Sequence, residues 1–402
     1  MKQGWEIKKL SEICVSSNGL WKGKNPPFTT IAVLRSTNFT KDCKIKLDDV
    51  AYIEVEEKSF AKRRLQKNDI VVERSGGGPN QPVGRVLLFD IEDENYSFCN
   101  FTSALRVLDT TIVSPIYLHR YLTYFYLSGQ TINIQSNTIG LRNLDYTKYL
   151  EISIPVPPIA EQQRIVEILD REFEKIDALK ANAERSLQQA KDLFQSALKQ
   201  ELKPKEGWVT VSLNDLYDVR DGTHDSPKYT QQGYPFVTSK NLKDGKIDMS
   251  DVKYISKEDY DKINERSKVD VGDILFAMIG SNLGHPALVV DEPNYAIKNV
   301  ALFKVPSSQS SRLLLYLLSS DLIMDKINKE KSGSSQPFVS LKYLRTFKVS
   351  IPMEYEQQEE LALRIERLDR ISKRLQSKYI NIIALCDDMK QALLRQAFNG
   401  EL

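Results

Sequence analysis

A proline-rich stretch at residues 154–158 leads into a sequence that neither proline nor glycine interrupts before Pro204. Proline suits the start of a helix, because the first turn leaves its N–H groups without intrahelical partners. The sequence therefore predicts a helix of about 44 residues, roughly 65 Å long at 1.5 Å per residue. Helices in globular proteins average about 11–12 residues, so a helix of this length needs a partner along its side.

Apolar residues along this helix alternate between spacings of four and three, which is typical of a coiled-coil seam. One row recurs every seven residues, at Leu169, Ile176, Ala183, Ala190 and Ala197. An interrupted second row contains Ile165, Leu179 and Leu193. The alanines of the second half predict a partner helix that approaches closely.

The last fifty residues of the chain supply that partner. They follow Ile351-Pro352 and keep the same alternation of apolar residues. Both stretches have Glu-Gln-Gln near their start, at 161–163 and 356–358, and they end in similar sequences, at 193–202 and 393–402. We therefore predict that the two helices are copies of each other.

The helices belong to a tandem repeat with a period near 200 residues, which is typical of a duplicated domain rather than a solenoid. The matching pairs are Gly4-Trp5 with Gly207-Trp208, 33–39 with 236–242, and Asn68-Asp69-Ile70 with Gly272-Asp273-Ile274. Each half also predicts a leucine- and tyrosine-rich helix, at 117–128 and 312–327. The sequences between these landmarks differ, which indicates a shared mixed α/β skeleton whose two copies bind different things.

These motifs together resemble the specificity subunit of a type I restriction–modification system. The resemblance rests on the opening GW-x4-L, the S-x-N pair, ND-I-V, P-P-x-x-E-Q-Q-R-I-V and the terminal QAFNGEL. It covers essentially the whole chain. It implies a target-recognition domain at 1–157, a conserved helix at 158–203, a second recognition domain at 204–352 and a second helix at 353–402. It further implies that the helices pair as an antiparallel coiled coil.

The resemblance also implies the function. Each recognition domain would read one half of a split target in double-stranded DNA, and the chain itself would catalyse nothing. Its partners would be two modification subunits that methylate adenine and restriction subunits that cut DNA. S-adenosylmethionine, ATP and magnesium would be bound by those partners and no cofactor by this chain. Four widely separated cysteines, and the lack of an apolar run long enough for a membrane span, predict a cytoplasmic protein, and the resemblance implies a prokaryotic one.

Catalytic motifs in the sequence are weak. Asn25-Pro26-Pro27-Phe28 matches the signature of adenine N6 methyltransferases, but neither the apolar strand before it nor a glycine-rich turn for the methyl donor is present. The glycines at 76–78 lack the Lys-Ser/Thr of a phosphate-binding loop. The three histidines stand alone, without the spacing of a zinc site. We therefore predict a protein that is not an enzyme.

Residues that read DNA bases should be Arg, Asn, Gln, Ser, Thr, Lys or His on loops beside rigid strands. In the first domain the candidates are Arg35, Ser36, Asn38, Arg74, Ser75, Asn80, Gln81, Arg85, Thr138, Arg142 and Asn143. In the second they are Thr223, His224, Ser239, Lys240, Asn241, Ser281, Asn282, Ser334, Ser335, Gln336 and Lys342. For any single residue the competing interpretation is a turn cap or a solvated polar group. The clusters are therefore stronger candidates than their members.

A second class of function stays open at this point. The net charge of +2 is too small to indicate nucleic-acid binding by itself. The alternative is a coiled-coil scaffold whose two domains bind protein partners and have no role with DNA.

The first prediction concerns the long helix as a ruler between the two half-sites. Inserting four residues after Ala190 lengthens it by about 6 Å and disturbs the seam only as a stutter. Because one base pair rises about 3.4 Å, we expect the unread spacer to grow by about one or two base pairs while both half-sites keep their sequence. Methylome sequencing of cells that carry the insertion measures this. An unchanged spacer would contradict the ruler.

Overall fold

The computed structural model describes residues 4–78, 81–93, 95–138, 141–329 and 338–402. The chain divides into two compact units, one of Met1–Ala183 with Asn381–Leu402 and the other of Glu184–Ile380. Each unit holds one α/β module and a part of both long helices. Within the described ranges, no helix is both long and apolar enough to cross a membrane.

The first module, residues 1–157, alternates short strands with short helices. Its strands are β1 (Glu6–Lys9), β2 (Cys14–Asn18), β3 (Phe28–Leu34), β4 (Ala51–Glu56), β5 (Ile70–Glu73), β6 (Ser75–Gly77), β7 (Val86–Leu88), β8 (Tyr96–Phe98), β9 (Thr102–Val107), β10 (Gln135–Thr138), β11 (Leu141–Leu144) and β12 (Ser153–Val156). Its helices are α1 (Leu10–Ile13), α2 (Glu57–Arg63), α3 (Pro115–Leu127) and α4 (Tyr146–Leu150), with 3-10 turns at Ser36–Asn38 and Gln130–Ile134.

The core of this module forms around β5, whose four residues are all buried. The strands pair in the orders β2-β9-β5-β7, β4-β3-β8, β10-β11-β6 and β1-β12. Helix α3 packs on this core through Leu118 and Leu122, which are fully buried. The continuous apolar run Ile70–Val72 in the sequence is thus typical of a strand that is buried on both faces.

The second module, residues 204–352, follows the first long helix, α5 (Ile159–Glu201). Its strands are β13 (Val209–Ser212), β14 (Asp218–Asp221), β15 (Tyr234–Thr238), β16 (Leu242–Lys243), β17 (Lys246–Ile247), β18 (Lys253–Ile255), β19 (Ile274–Ala277), β20 (Pro286–Leu288), β21 (Ala296–Lys298), β22 (Val300–Lys304) and β23 (Lys348–Ile351). Its helices are α6 (Leu213–Leu216), α7 (Lys257–Ser267), α8 (Ser311–Leu318), α9 (Asp321–Lys329) and α10 (Leu341–Thr346), with a 3-10 turn at Ser239–Asn241. The second long helix, α11 (Tyr355–Asn399), comes last.

Strand pairing shows the duplication directly. The orders β14-β22-β19-β20, β18-β15-β21 and β13-β23 repeat those of β2-β9-β5-β7, β4-β3-β8 and β1-β12. In both modules a parallel pair, β3 with β8 and β15 with β21, joins otherwise antiparallel strands. The predicted fold class, two mixed α/β modules with two long helices, is confirmed.

Helices α5 and α11 run antiparallel within each unit. In the first unit Lys180 Nζ lies 2.7 Å from Asp387 Oδ1, and Lys390 pairs with Asp177. In the second unit the Ser372 hydroxyl donates to the Ala190 carbonyl at 2.9 Å. Burial follows only one of the two predicted rows over most of α5. The buried row is Leu169, Ile176, Ala183 and Ala190, whereas Leu179 and Leu193 are 47% and 67% exposed.

One predicted helix is broken. The pattern at 312–327 predicted a single helix, but the structure has α8 and α9 with Ser319 and Ser320 between them. The Ser319 hydroxyl donates to the Leu315 carbonyl at 2.7 Å, and that of Ser320 donates to the Leu317 carbonyl at 2.6 Å. The Leu315 carbonyl still accepts the N–H of Ser319, as in a helix, whereas the Leu317 carbonyl accepts both the N–H and the hydroxyl of Ser320. A continuing helix would bond the Leu317 carbonyl to the N–H of Asp321, so the bonds from Ser320 mark the end of α8.

A buried glutamine joins each long helix to its module. Gln162 accepts the N–H of Ser114, the N-cap of α3, at 2.8 Å and donates to the carbonyls of Ile112 and Pro157. Gln358 accepts the N–H of Ser310, the N-cap of α8, at 2.9 Å. It also donates to the Pro352 carbonyl at 3.0 Å. The equivalent glutamines are thus Gln162 and Gln358, one position out of step with the alignment of the two Glu-Gln-Gln motifs.

A buried asparagine braces the 3-10 turn in each module. Asn38 Nδ2 donates to the carbonyls of Lys46 and Asp49, and its Oδ1 accepts the N–H of Arg35. Asn241 makes the same three bonds, to the carbonyls of Asp248 and Asp251 and from the N–H of Thr238. Each asparagine therefore ties its turn to the loop that follows.

We predict that this brace contributes measurably to stability. Replacing Asn38, which is fully buried, by Ala removes the side-chain donor of the Lys46 carbonyl and one of the two donors of the Asp49 carbonyl. The expected loss is about 1–3 kcal/mol in the free energy of unfolding. The matched control is Thr37→Ala, since Thr37 is an exposed residue of the same turn. Denaturant unfolding measures both, and equal stability of the two variants would contradict the brace.

Candidate nucleic-acid interface

A small sheet in the first module gathers candidates that lie far apart in the sequence. Strands β10 and β11 pair antiparallel, and β6 pairs with β11 so that Asn143 lies opposite Ser75 and Arg142 opposite Gly77. The Ser75 hydroxyl donates to Asn143 Oδ1. Ser75, Arg142 and Asn143, predicted as separate candidates, therefore lie together on one sheet.

A surface hollow in this module, which we call the first cleft, contains more of the candidates. It is lined by Arg35, Ser36, Thr37, Ser75, Gly76, Cys99, Asn100, Phe101 and Leu141. The Ser36 hydroxyl donates to the Ser75 carbonyl at 3.4 Å, which ties the 3-10 turn to β6. Arg35 Nη2 donates to the Asp49 carboxylate at 3.1 Å, and Arg35 Nε is buried without a hydrogen-bond partner in the described part of the chain.

Arg74 is held beside the same sheet. Its guanidinium lies 4.4 Å from the centre of the Tyr146 ring, and Nη1 donates to Asn18 Oδ1 at 2.6 Å and to the Ser103 hydroxyl at 3.3 Å. The side chain is half-buried. Arg74 is thus fixed in one orientation, as a residue that reads a base must be.

Arg85 has a structural role instead of the predicted contact with DNA. Its residue is 5% exposed, and its guanidinium makes two bonds to the fully buried carboxylate of Glu73, at 2.8 and 2.6 Å. It also donates to the carbonyls of Phe39 and Ser36. Burial by itself would lower the pKa of Arg85, but the hydrogen bonds and charge of Glu73 outweigh it and hold that pKa above its usual value. Arg85 is therefore removed from the candidates.

Asn38 and Asn241 are corrected in the same way. Their exposures are 0% and 4%, and both ends of each amide bond to the module's own backbone. Both amide N–H groups are used in this way, so no donor is left for a base edge. The sequence pattern had located two equivalent residues, but it assigned them the wrong role.

The second module has an equivalent hollow, the second cleft. It is lined by Tyr229, Phe236, Thr238, Ser239, Lys240, Asn241, Asp251, Lys253, Ile279, Gly280, Lys298 and Asn299. The repeat equates Ser239 with Ser36, Gly280 with Gly76 and Lys298 with Cys99. The two clefts therefore use the same backbone positions and carry different side chains. Lys240, Lys253 and Lys298 make the second cleft more cationic than the first.

His224 and Thr223 lie outside the lining of the second cleft, and His224 is linked to that lining through Asn299. His224 is 64% exposed in its side chain, and its ring nitrogens lie 2.9 Å from Asn299 Oδ1 and from Asp221 Oδ2. The Thr223 hydroxyl accepts the N–H of Asp225 at 3.1 Å. Ser239 is nearly buried and donates to the Asn299 carbonyl at 3.2 Å. These bonds hold His224 in place beside the cleft.

The remaining candidates of the second module lie outside the cleft lining. Asn282 donates to the carbonyls of Lys240 and Leu242, which makes it a turn residue. Ser281 and Lys342 are exposed. Ser334, Ser335 and Gln336 lie outside the described residues, as does Asn80 in the first module, and of Thr138 only the backbone, in β10, is described. Gln81 is half-buried, and its backbone exchanges two hydrogen bonds with Gly78.

Sequence reasoning missed three exposed apolar residues of the first module. Phe101 and Leu141 line the first cleft with 53% and 56% of their surfaces exposed. Trp21 is 72% exposed and occupies the position of His224 in the repeat, because Leu20 and Thr223 form equivalent bridges to Cys99 and Lys298. The lysines at 22 and 24 beside Trp21 were an available signal, since basic residues interleaved with aromatics are typical of nucleic-acid surfaces.

Three features bear on the weak catalytic motifs. In the part of the chain that the structure describes, no cluster of three or more His, Cys, Asp or Glu residues could hold a metal ion. Burial, together with the neighbouring Arg120, lowers the pKa of His119 to about 3, so this imidazole stays neutral. The segment Asn25–Phe28 leads into β3, which begins at Phe28, instead of closing a buried strand, and Glu56 accepts the backbone N–H of Asn25 at 2.8 Å.

Two modules with the same strand order, paired long helices and equivalent clefts define a duplicated recognition protein. The family described as type I restriction modification DNA specificity domain matches residues 2–189 and again 205–383. The chain belongs to this family and is a DNA-recognition subunit of the type I restriction–modification class.

Individual relatives agree over nearly the whole chain. The chain is 24% identical to the type I restriction enzyme EcoKI specificity subunit of Escherichia coli (strain K12), over 100% of this chain and 90% of that protein. It is 21% identical to the StySPI specificity subunit of Salmonella potsdam, again over 100% of this chain and 90% of that protein.

Solved structures share the fold. A chain from work on complex assembly and conformational transition of the type I R-M system superposes with a TM-score of 0.79 at 18% identity, covering 100% of this chain and 99% of that one. The HsdS subunit from Thermoanaerobacter tengcongensis gives a TM-score of 0.55 at 17% identity, covering 100% of this chain and 98% of that one. At these identities the likeness shows the fold alone.

The reassignment of Arg85 gives a third prediction. Replacing Arg85 by Met leaves the buried Glu73 carboxylate without its cation, which should cost about 3–5 kcal/mol in the free energy of unfolding. Arg35→Met is the matched control, because Arg35 pairs with Asp49 at the surface, where an ion pair contributes about 0–1 kcal/mol. Denaturant unfolding compares the two.

The double variant Glu73→Leu/Arg85→Met should recover part of the loss, since it removes both buried charges. If Arg85→Met is no less stable than Arg35→Met, Arg85 returns to the candidates for DNA contact.

Proposed function

We propose that the chain reads a bipartite DNA target, one half with each module, and positions modification and restriction subunits on it. The chain itself is non-catalytic in this proposal. S-adenosylmethionine, ATP and magnesium are bound by the partner subunits, which work with this chain in the cytoplasm. The observation that carries the proposal is the pair of equivalent clefts with different linings.

The two clefts support recognition of one half-site by each module, because their backbone positions are equivalent and their lining side chains differ. In each, a braced 3-10 turn contributes a serine, Ser36 or Ser239, and a glycine with positive φ follows the buried central strand, Gly76 or Gly280. The first cleft carries a guanidinium and apolar side chains, whereas the second carries three lysines. Two frames of one design with different donors would recognise two different base sequences.

Fixed hydrogen-bond donors support base recognition over simple attraction to phosphate. Arg74 is held by Tyr146, Asn18 and Ser103, and the Asn143 amide is oriented by the Ser75 hydroxyl, which donates to its Oδ1. A rigid donor discriminates among base edges, whereas a phosphate contact requires only a cation within reach. We therefore assign Arg74, Ser75 and Asn143 to base recognition, and Lys240 and Lys298 to either kind of contact.

The exposed apolar residues of the long helices support the part of the proposal that concerns partner subunits. In the first unit Leu179 and Met389, each 47% exposed, line a groove between α5 and α11 with Ile176 and Leu393. In the second unit Leu193 and Ile371 are 67% and 60% exposed. Apolar rows of this kind suit helices contributed by modification subunits. The scaffold without DNA, which the low net charge had left open, has no support from the family match.

Module exchange tests the proposal as a fourth prediction. Replacing residues 1–157 by the corresponding residues of a related specificity subunit should change one half of the methylated sequence and leave the other half intact. Methylome sequencing of cells that express the hybrid with its partner subunits reads both halves at once.

The reciprocal exchange of residues 204–352 is the matched control and should change only the other half. A simultaneous change of both halves in either hybrid would contradict divided reading. Intact complexes that methylate no defined sequence would contradict recognition by the modules.

A further inference from the structure

We propose that the first module recognises a thymine through its 5-methyl group, which contacts Phe101 and Leu141. The inference deepens the proposed function and rests on it, because it assumes that the first cleft meets the edges of DNA bases. It assigns a reading role to two residues whose apolar character excluded them from the sequence-based candidates.

Both side chains are presented by fixed backbone. The Phe101 carbonyl accepts the N–H groups of Arg74 and Ser75, at 2.9 and 3.2 Å, so the loop before β9 is fastened to the start of β6. Leu141 begins β11 and pairs with Thr138 of β10. About half of each side chain is exposed even though a buried core lies close by. Phe101 is therefore held by backbone hydrogen bonds to the start of β6, and Leu141 by its pairing with β10.

Phe101 and Leu141 together form an apolar surface in the first cleft, which we call the wall. Thymine is the base that such a wall can identify. The edges of the other bases in the major groove offer hydrogen-bond donors and acceptors, whereas thymine adds a methyl group beside its O4 acceptor. Phosphates and sugars would gain little from two exposed apolar side chains. Leucine cannot stack on a base as an aromatic ring does, so a methyl contact explains both residues together.

Donors next to the wall match the rest of the thymine edge. Arg35 and Ser36 line the same cleft, and Arg35 Nε is buried without a hydrogen-bond partner in the described part of the chain. A guanidinium N–H beside an apolar wall complements an acceptor beside a methyl group, which is the pattern of thymine O4 and C5. The first cleft therefore has both parts of a thymine-reading site.

The second cleft combines apolar residues with several cations. Tyr229 and Ile279 line it together with Lys240, Lys253 and Lys298, and the Lys253 ammonium lies 4.2 Å from the centre of the Tyr229 ring. Ammonium groups favour acceptors such as guanine N7 and O6 and give no preference for a methyl group. The methyl effect should therefore be found in the half-site that the first module reads.

The fifth prediction uses uracil as a probe, because uracil differs from thymine only by the missing methyl group. Duplexes carrying the target are prepared with single thymines of the first module's half-site replaced by uracil, on either strand. The chain in complex with its modification subunits methylates each duplex. At one position we expect uracil to lower kcat/KM by about three- to five-fold, as for one methyl group removed from an apolar contact.

The variant Phe101→Ala/Leu141→Ala should show equal rates on thymine and uracil at that position. The matched control is Leu108→Ala, because Leu108 is 60% exposed in the same module and does not line the cleft. This control should keep the full difference between thymine and uracil. The scan with the unmodified chain needs no variant, so it tests the idea even if a substitution impairs folding.

Several outcomes would overturn the inference. One is a half-site without thymine on either strand, and another is a scan in which no uracil changes the rate. A thymine–uracil difference that persists in Phe101→Ala/Leu141→Ala would place the methyl contact elsewhere. A complex that loses its subunits when these two residues change would identify the wall as a protein interface. Failure of the unmodified complex to methylate the thymine duplex would instead refute the proposed function.

Discussion

Each long helix depends on one glutamine amide that water does not reach. Gln162 and Gln358 are fully buried, and each bonds at once to its own helix start and to the N-cap of a module helix. An unpaired amide in such a position would cost about 1–3 kcal/mol for each lost partner, so the module and the helix must meet in one geometry. Each long helix is therefore oriented against its module by contacts that lie within one unit.

Much of this architecture could be predicted because the sequence contains an internal duplication. The repeat located Asn38 and Asn241 as equivalents, and hydrophobic spacing placed the buried strand at Ile70–Val72 and the long helix that the structure has at Ile159–Glu201. Periodicity reports which face of an element is apolar, and duplication reports which positions share a backbone. Neither reports what a polar side chain bonds to, which is why both asparagines were assigned to DNA.

The remaining differences have the same physical origin. Letter matching paired Gln162 with Gln357, but only burial against the capped N-terminus of α8 selects Gln358. Spacing placed Leu179 and Leu193 in the seam, yet the close approach of α11 at the alanines leaves them outside it. Phe101 and Leu141 were not among the predicted DNA contacts, because those candidates were all polar. The backbone hydrogen bonds of Phe101 and the strand pairing of Leu141, which the sequence does not reveal, bring them to the surface of a cleft.

The asparagine brace has a consequence for how such a protein acquires new preferences. Its partners are main-chain carbonyls at Lys46 and Asp49, or at Asp248 and Asp251, and these groups are present whatever side chains the loop carries. The side chains at the surrounding positions are therefore not needed to maintain the conformation of the turn. Substitutions in the cleft lining can alter affinity for one base while the turn beneath keeps its conformation. The backbone frame of each module therefore does not depend on the side chains that contact DNA, so the base preference of a module can change while its fold is retained.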